Sequence, residues 1–174
     1  MEKTLLIIKP DGVEHRLIGR ILTRFEESGL EITKICVAKA TREQILNHYP
    51  TSESWFEAVG NKTLSTCAKY AIDPINQFGT DNPIDIGKIV KEWLVDYMTQ
   101  GKVVPFVVEG YHAVEKARLM VGNTMPLAAL PGTIRGDFGL DSADIANSGK
   151  RAVRNLIHAS ESVEDAEREI HIWF

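Results

Sequence analysis

The segment Asn155-Leu156-Ile157-His158-Ala159-Ser160 carries an imidazole to the end of a short apolar run, with the start of a helix directly behind it. Residues 151–157 lie between Gly149 and Ser160, which is the length of a buried strand rather than a helix. His158 is therefore expected at the strand's exit, where a nucleophile is both exposed and held. Ser162-Val163-Glu164-Asp165 has the form of a capping box for the helix that follows. That helix places Val163, Ala166, Ile170 and Trp173 on one stripe, with Glu169 beside it. A Glu169 carboxylate folded back onto His158 would fix the tautomer and leave the other ring nitrogen unprotonated, the condition for nucleophilic catalysis by histidine. Arg168 has Glu164 as an i,i+4 partner, but Asp165 and Glu169 are like charges at that spacing, so surface pairing does not account for Glu169.

Two further segments supply cations. Lys9-Pro10-Asp11-Gly12 closes the apolar run Leu5-Leu6-Ile7-Ile8, so a lysine is delivered to the end of a second buried strand at a turn. Pro131-Gly132-Thr133-Ile134-Arg135-Gly136-Asp137-Phe138 reads as a polar loop in which glycines flank an arginine and let backbone approach a ligand closely. A lysine gives a compact charge and an arginine a planar fork, and together they suit phosphate. Either alone is more often a solvated cap or a turn.

The elements that must position these groups alternate. Strands are expected at residues 4–9, 32–40 and 103–109, besides the one that ends at His158. Residues 17–28 read as a helix with Ile18, Ile21, Leu22 and Phe25 inward and Gly29 as its stop. Thr41-Arg42-Glu43-Gln44 is a capping box for a short helix ending near Tyr49. Residues 50–83, punctuated by Gly60, Asp73, Pro74, Gly79 and Asn82, read as loop with room for one short helix. Helices follow at 86–98, with Ile86, Ile89, Val90, Trp93, Leu94 and Tyr97 buried, and at 113–121. Pro105 argues for an edge or a strand start, against the central place its strand otherwise takes. Without the extra pieces the order is βαββαβ. The fold class is thus α+β, a ferredoxin-like arrangement with an antiparallel four-stranded sheet and helices on one face.

Composition bounds the rest. A chain of 174 residues suits one domain. Its net charge of −4 leaves no clustered basic excess for a nucleic acid. Cys36 and Cys67 are too few for a disulfide framework, and Cys36 in an apolar run is expected to be buried. His15, His48, His112 and His171 lack a second ligand at metal spacing and are read as surface or packing residues. Asp137-Phe138-Gly139 has the letters of a protein-kinase magnesium motif without the rest of that set, and reads as a plain turn. No run approaches the ~20 apolar residues of a spanning helix and no leader is seen, so a cytoplasmic location is expected.

Taken in order, Ile8-Lys9-Pro10-Asp11-Gly12-Val13, the loop around Arg135 and the segment around His158 resemble the motifs of nucleoside diphosphate kinases, over about residues 4–173. The resemblance implies that His158 carries a phosphoryl group from a nucleoside triphosphate to a different diphosphate by a ping-pong route. It implies nucleotide contacts from Lys9, Arg118, Thr124, Arg135 and Asn155, a site role for Tyr49, and support of the histidine by Ser160 and Glu169. An aromatic that stacks on the base is assigned to Phe56, with Trp55 as the alternative. Magnesium is expected on the nucleotide's own phosphates, with no protein metal site. A homo-oligomer, hexamer or tetramer, is implied as well. Departures are Ala159 and Glu161 around Ser160, and extra stretches at about 50–85 and 140–149. The competing class is a regulatory module on the same scaffold that binds nucleotides without turning them over.

Overall fold

The computed structural model describes all 174 residues. Its centre is a four-stranded antiparallel sheet in the order β2-β3-β1-β4, built from β1 (Glu2–Ile8), β2 (Glu31–Ile35), β3 (Val104–Gly110) and β4 (Ile157–Ala159). β1 lies between β3 and β4, and Thr4 through Ile8 are fully buried. A continuous apolar run rather than an alternating one is the mark of a strand covered on both faces. Two cores answer to it. Leu6, Ile8, Phe25, Phe106, Ala117 and Leu156 pack on one face, and Leu5, Ile7, Ile45, Val95, Met98 and Trp173 on the other. Helices therefore cover both faces, not the single face expected.

In chain order the helices are α1 (Pro10–Glu14), α2 (Ile18–Glu27), α3 (Arg42–His48), α4 (Glu53–Lys69), α5 (Pro74–Phe78), α6 (Pro83–Thr99), α7 (Ala113–Val121), α8 (Ile134–Phe138), α9 (Ala143–Ser148) and α10 (Val163–Trp173). The expected caps form. Thr41 and Gln44 make a full capping box on α3, and the Ser162 hydroxyl accepts from the Asp165 N–H on α10. Gly29, at φ +81°, ends α2 in the left-handed conformation that glycine adopts without strain. Pro105 sits in a central strand after all. In a strand, N and C=O of one residue point to the same side, and the Pro105 carbonyl accepts from Cys36 N–H at 3.1 Å. Its missing N–H thus faces the stretch between Ile35 and the isolated bridge at Ala38, where the β2 ladder is interrupted.

Several expectations fail for local reasons. Residues 50–83 are mostly helix, with α4 spanning 17 residues and α5 another 5. Residues 151–156 are irregular, so β4 is only three residues long and His158 is its middle residue, not its exit. The Arg135 segment is a helical turn capped by the Thr133 hydroxyl, with Asp137 paired to Arg24 and accepting from Gly132 N–H. Arg168 pairs with Asp165 at 3.1 Å rather than with Glu164. Val163 is exposed, off the buried stripe, and Cys36, directly after the edge strand β2, is exposed as well.

Candidate active site

His158 is opposite Ile7 in the β1–β4 ladder, so both side chains, and Lys9 two residues further along, project to the face covered by α3, α6 and α10. There the His158 Nε2 lies 2.7 Å from Glu169 Oε2, which also accepts from the Ser160 hydroxyl at 2.8 Å. A buried carboxylate is an acceptor, so Nε2 carries the hydrogen and the Nδ1 lone pair is left free. Burial first, then the charges of Lys9, Arg135 and Arg118, hold the imidazole pKa well below 6.5. The ring is thus neutral and nucleophilic at ordinary pH. Burial raises the Glu169 carboxyl, against the opposing pull of His48, the Ser160 bond and Arg168.

Behind this pair stands His48, which the sequence assigned to packing or surface. Its ring meets that of His158 edge to face at 4.4 Å between centroids, and its Nδ1 accepts from Trp173 Nε1–H at 3.3 Å. Tyr49 follows, its hydroxyl buried and unpaired. The carbonyls at the end of α3 are capped from other helices. Lys91 of α6 donates to Leu46, Tyr49 and Pro50 O at 3.1–3.3 Å, and Arg168 of α10 donates to Asn47 and His48 O. Two cations on the negative end of a helix fix the turn that presents Tyr49. In the sequence Arg168 has only a surface pairing with Glu164, and a helical lysine such as Lys91 offers no signal for this role.

The cations come from the other side. Lys9 Nζ donates to Asn155 Oδ1 at 2.7 Å, and Asn155 Nδ2 donates to Thr124 O at 3.0 Å. Arg135 spreads its guanidinium over three carbonyls, those of Asn155, Gly122 and Ile157, at 2.6–3.0 Å. Burial and the neighbouring Arg135 drive the Lys9 ammonium down to about 7, against the pull of Asp11. Burial likewise lowers Arg135 to about 10. Two desolvated cations beside a neutral imidazole are costly in an empty cleft and well matched to a polyanion.

Most of these groups line one cleft of ≈ 380 Å³, within the range of roughly 300–1,000 Å³ typical of small-molecule sites. Lys9, Tyr49, Arg118, Thr124, Arg135, Asn155, His158 and Glu169 are on its wall, whereas Ser160 is buried behind Glu169. Phe56 is not on that wall. α4 turns it toward α6, where its carbonyl would touch any Cβ on Gly87 and its ring lies under Lys91, so of the two aromatics it is Trp55, not Phe56, that lines the cleft, together with Tyr49 and Trp93. Val59 and Thr63 of α4 and Ala143 and Asn147 of α9 line the cleft as well. His48, His158 and Glu169 offer two imidazoles and one carboxylate within 4.8 Å of one another, a set that suits magnesium poorly.

Comparison with known proteins gives this geometry its context. The family model described as nucleoside diphosphate kinase matches residues 2–66 and 86–174, so the unmatched stretch is 67–85 and the match runs through 140–149. A nucleoside diphosphate kinase of Pyrobaculum aerophilum is 49% identical over 174 residues, all of this chain and 95% of that one. One of Pyrococcus furiosus is 40% identical, across all of this chain and 83% of its own. The crystal structure of an NDP kinase from Pyrobaculum aerophilum superposes with a TM-score of 0.97 at 48% identity, covering 99% of this chain and 95% of that one. A transition-state mimic of nucleoside-diphosphate kinase from Borrelia burgdorferi, with vanadate and ADP bound, superposes with a TM-score of 0.76 at 34% identity, covering 99% and 86%. With its matched residues including the His158 strand, the Lys9 turn and the Arg135 helix, the chain belongs to the nucleoside diphosphate kinase family.

Proposed function

We propose that His158 Nδ1 is the atom that carries the phosphoryl group between two nucleotides bound in turn in the one cleft. The Nδ1 lone pair attacks the terminal phosphorus in line, the bond to the bridging oxygen breaks, and a nucleoside diphosphate leaves. Charge that appears on the ring is met by Glu169 through Nε2–H, so no proton has to move during the step. Lys9 and Arg118 answer the charge that grows on the phosphate oxygens, and Tyr49 Oη–H is a free donor beside His158. Arg135 contributes its charge from a guanidinium anchored on backbone. Asn155 and Thr124 line the nucleotide path, and Trp55 offers the apolar face for the base. A second diphosphate takes the group back by the reverse route. The single observation that carries this reading is the 2.7 Å bond from His158 Nε2 to the buried Glu169 carboxylate, which leaves the other ring nitrogen unprotonated in a cationic cleft.

Magnesium, on this reading, enters on the nucleotide and neutralises its phosphates, because the carboxylate nearest the histidine is already committed to it. No helix is long and apolar enough to cross a membrane. A cytoplasmic location and a homo-oligomer, hexamer or tetramer, complete the proposal; the edge strand β2 and the residues directly after it leave Ile35 and Val37 47% and 63% exposed, where a second copy can pair. Light scattering at the working concentration reads the assembly, and a monomer refutes it. The phosphocarrier is tested with γ-labelled ATP. Label should be acid-labile, absent from His158→Ala and chased by GDP. An intact protein that takes no label ends the reading.

A further inference from the structure

Asp11 takes part in no step above, yet it is only 2% exposed and both carboxylate oxygens are committed. Oδ1 accepts from the Tyr97 hydroxyl of α6 at 2.6 Å, and Oδ2 accepts from Leu156 N–H at 3.1 Å. Leu156 lies at φ +68°, a left-handed conformation that a γ-branched side chain rarely takes and that persists only where its surroundings impose it. Three features impose it: Asp11 holds its N–H, Lys9 N–H holds its carbonyl at 2.8 Å, and Gly12 leaves room for that carbonyl where a Cβ would lie at 2.9 Å. On one side of this turn is Asn155, the partner of Lys9 Nζ. On the other is the strand that bears His158.

We propose that Asp11 is a positioning residue for phosphoryl transfer: its carboxylate ties the left-handed turn at Leu156 to α1 and α6, and so keeps Asn155, the Lys9 ammonium and the His158 ring in one register. The role rests on the phosphocarrier reading of His158. It has an electrostatic side as well. The groups that face Lys9 are Arg135 of α8, His158 of β4, His48 of α3 and the Tyr97 ring of α6 at 5.4 Å, while α7 and α10 add Arg118 and Glu169 to the same cleft. The Asp11 carboxylate favours the charged form of Lys9, against burial and Arg135. Without that carboxylate the ammonium gives up its proton at lower pH.

Phosphoenzyme formation from γ-labelled ATP, followed in a single turnover from pH 5.5 to 9 with the melting temperature of each variant, tests this. Asp11→Asn should be about 10-fold slower at pH 6 and about 100-fold slower at pH 8, because a misplaced turn and a displaced Lys9 titration add. Its alkaline limb should move below that of the parent. Tyr97→Phe and Asp11→Glu keep the charge and should keep the parental limb, and Asp11→Glu, with its oxygens one methylene out of place, should still be slow. A loss in Asp11→Asn that is the same at every pH and follows the fall in melting temperature overturns the proposal, as does no loss. If that variant does not fold, Asp11→Glu decides: a slow rate on the parental limb supports the role and a parental rate refutes it. A parent that takes no label refutes the phosphocarrier itself, whereas a labelled parent with an unimpaired Asp11→Asn refutes only the role of Asp11.

Discussion

Replacing Glu169 by Gln keeps an oxygen for His158 Nε2–H and the packing of α10, but removes the negative charge that answers the imidazolium formed during transfer. The rate of phosphoenzyme formation should fall about 10- to 100-fold, with nucleotide affinity nearly unchanged, in a rapid-quench measurement; an equal loss in affinity would place Glu169 in binding instead. The pH profile of kcat/KM reads the free enzyme's charges. His158 must be neutral and its pKa lies well below 6.5, so the acid limb should lie below that of free imidazole. Lys9 must be charged and titrates at about 7, so activity should decline as pH rises through that value. A profile flat to pH 9 would mean that Lys9 is not needed in its charged form. At this scale the sequence is informative where a residue closes a strand or follows a cap: Lys9 comes directly after β1, and Glu169 lies on the helix capped by Ser162. His158 and Asn155 join them in the cleft from the middle of β4 and from the irregular stretch before it, not from the strand exit that the sequence suggests. His48 and Lys91 were not legible, because their partners are carbonyls and rings brought from other elements, and neither has a neighbour in sequence that signals it.

Between elements, the contact that shapes the cleft is the one between α4 and α6. Gly60 faces the Pro83 carbonyl and Gly87 the Phe56 carbonyl so closely that a Cβ at either position would overlap backbone. Backbone cannot swing aside as a flexible side chain can. Gly60→Ala should therefore lower stability by about 1–3 kcal/mol through overpacking, despite the better helix propensity of alanine. Because α4 carries Trp55, the same substitution should raise KM for nucleotides. Gly19, in α2, is the control: a Cβ there meets nothing within 4 Å, and Gly19→Ala should stabilise by about 0.5–1 kcal/mol. Paired thermal melts check both, and equal effects would refute the packing argument. This contact also explains why the sequence of α4 has the look of a loop. Gly60, Thr63, Ser65 and Thr66 are weak helix formers, and the helix is stabilised by tertiary packing on α6 that no window of sequence contains. The helices α2 and α10, with strong apolar stripes, and α3 with its capping box, were legible.

Taken over the whole molecule, the desolvated groups of the cleft couple function to stability in opposite directions. His48 and His158 both have folded pKa values well below 6.5, so the unfolded chain binds more protons as pH falls beneath that value and the native state loses stability there. Lys9 acts in the next window. Its folded pKa is about 7 against 10.5 in the unfolded chain, so between those values the unfolded state again binds more protons, and stability rises with pH by up to ~1.4 kcal/mol per unit. Glu169 runs the other way but lower, its raised carboxyl costing stability as pH climbs above 4.5. The sum predicts a protein whose unfolding midpoint in urea increases from pH 6 to pH 9 while its kcat/KM falls above pH 7. The burial that keeps His158 neutral also burdens Lys9 with a charge that Asp11 offsets in part and a nucleotide's phosphates would relieve further. Lys9→Met should flatten the stability rise above pH 7 and abolish transfer, since it removes the titrating group and the cation together. A parent whose stability is level across that range, or a Lys9→Met variant that still rises, would show that the cost of the buried ammonium is met within the empty cleft.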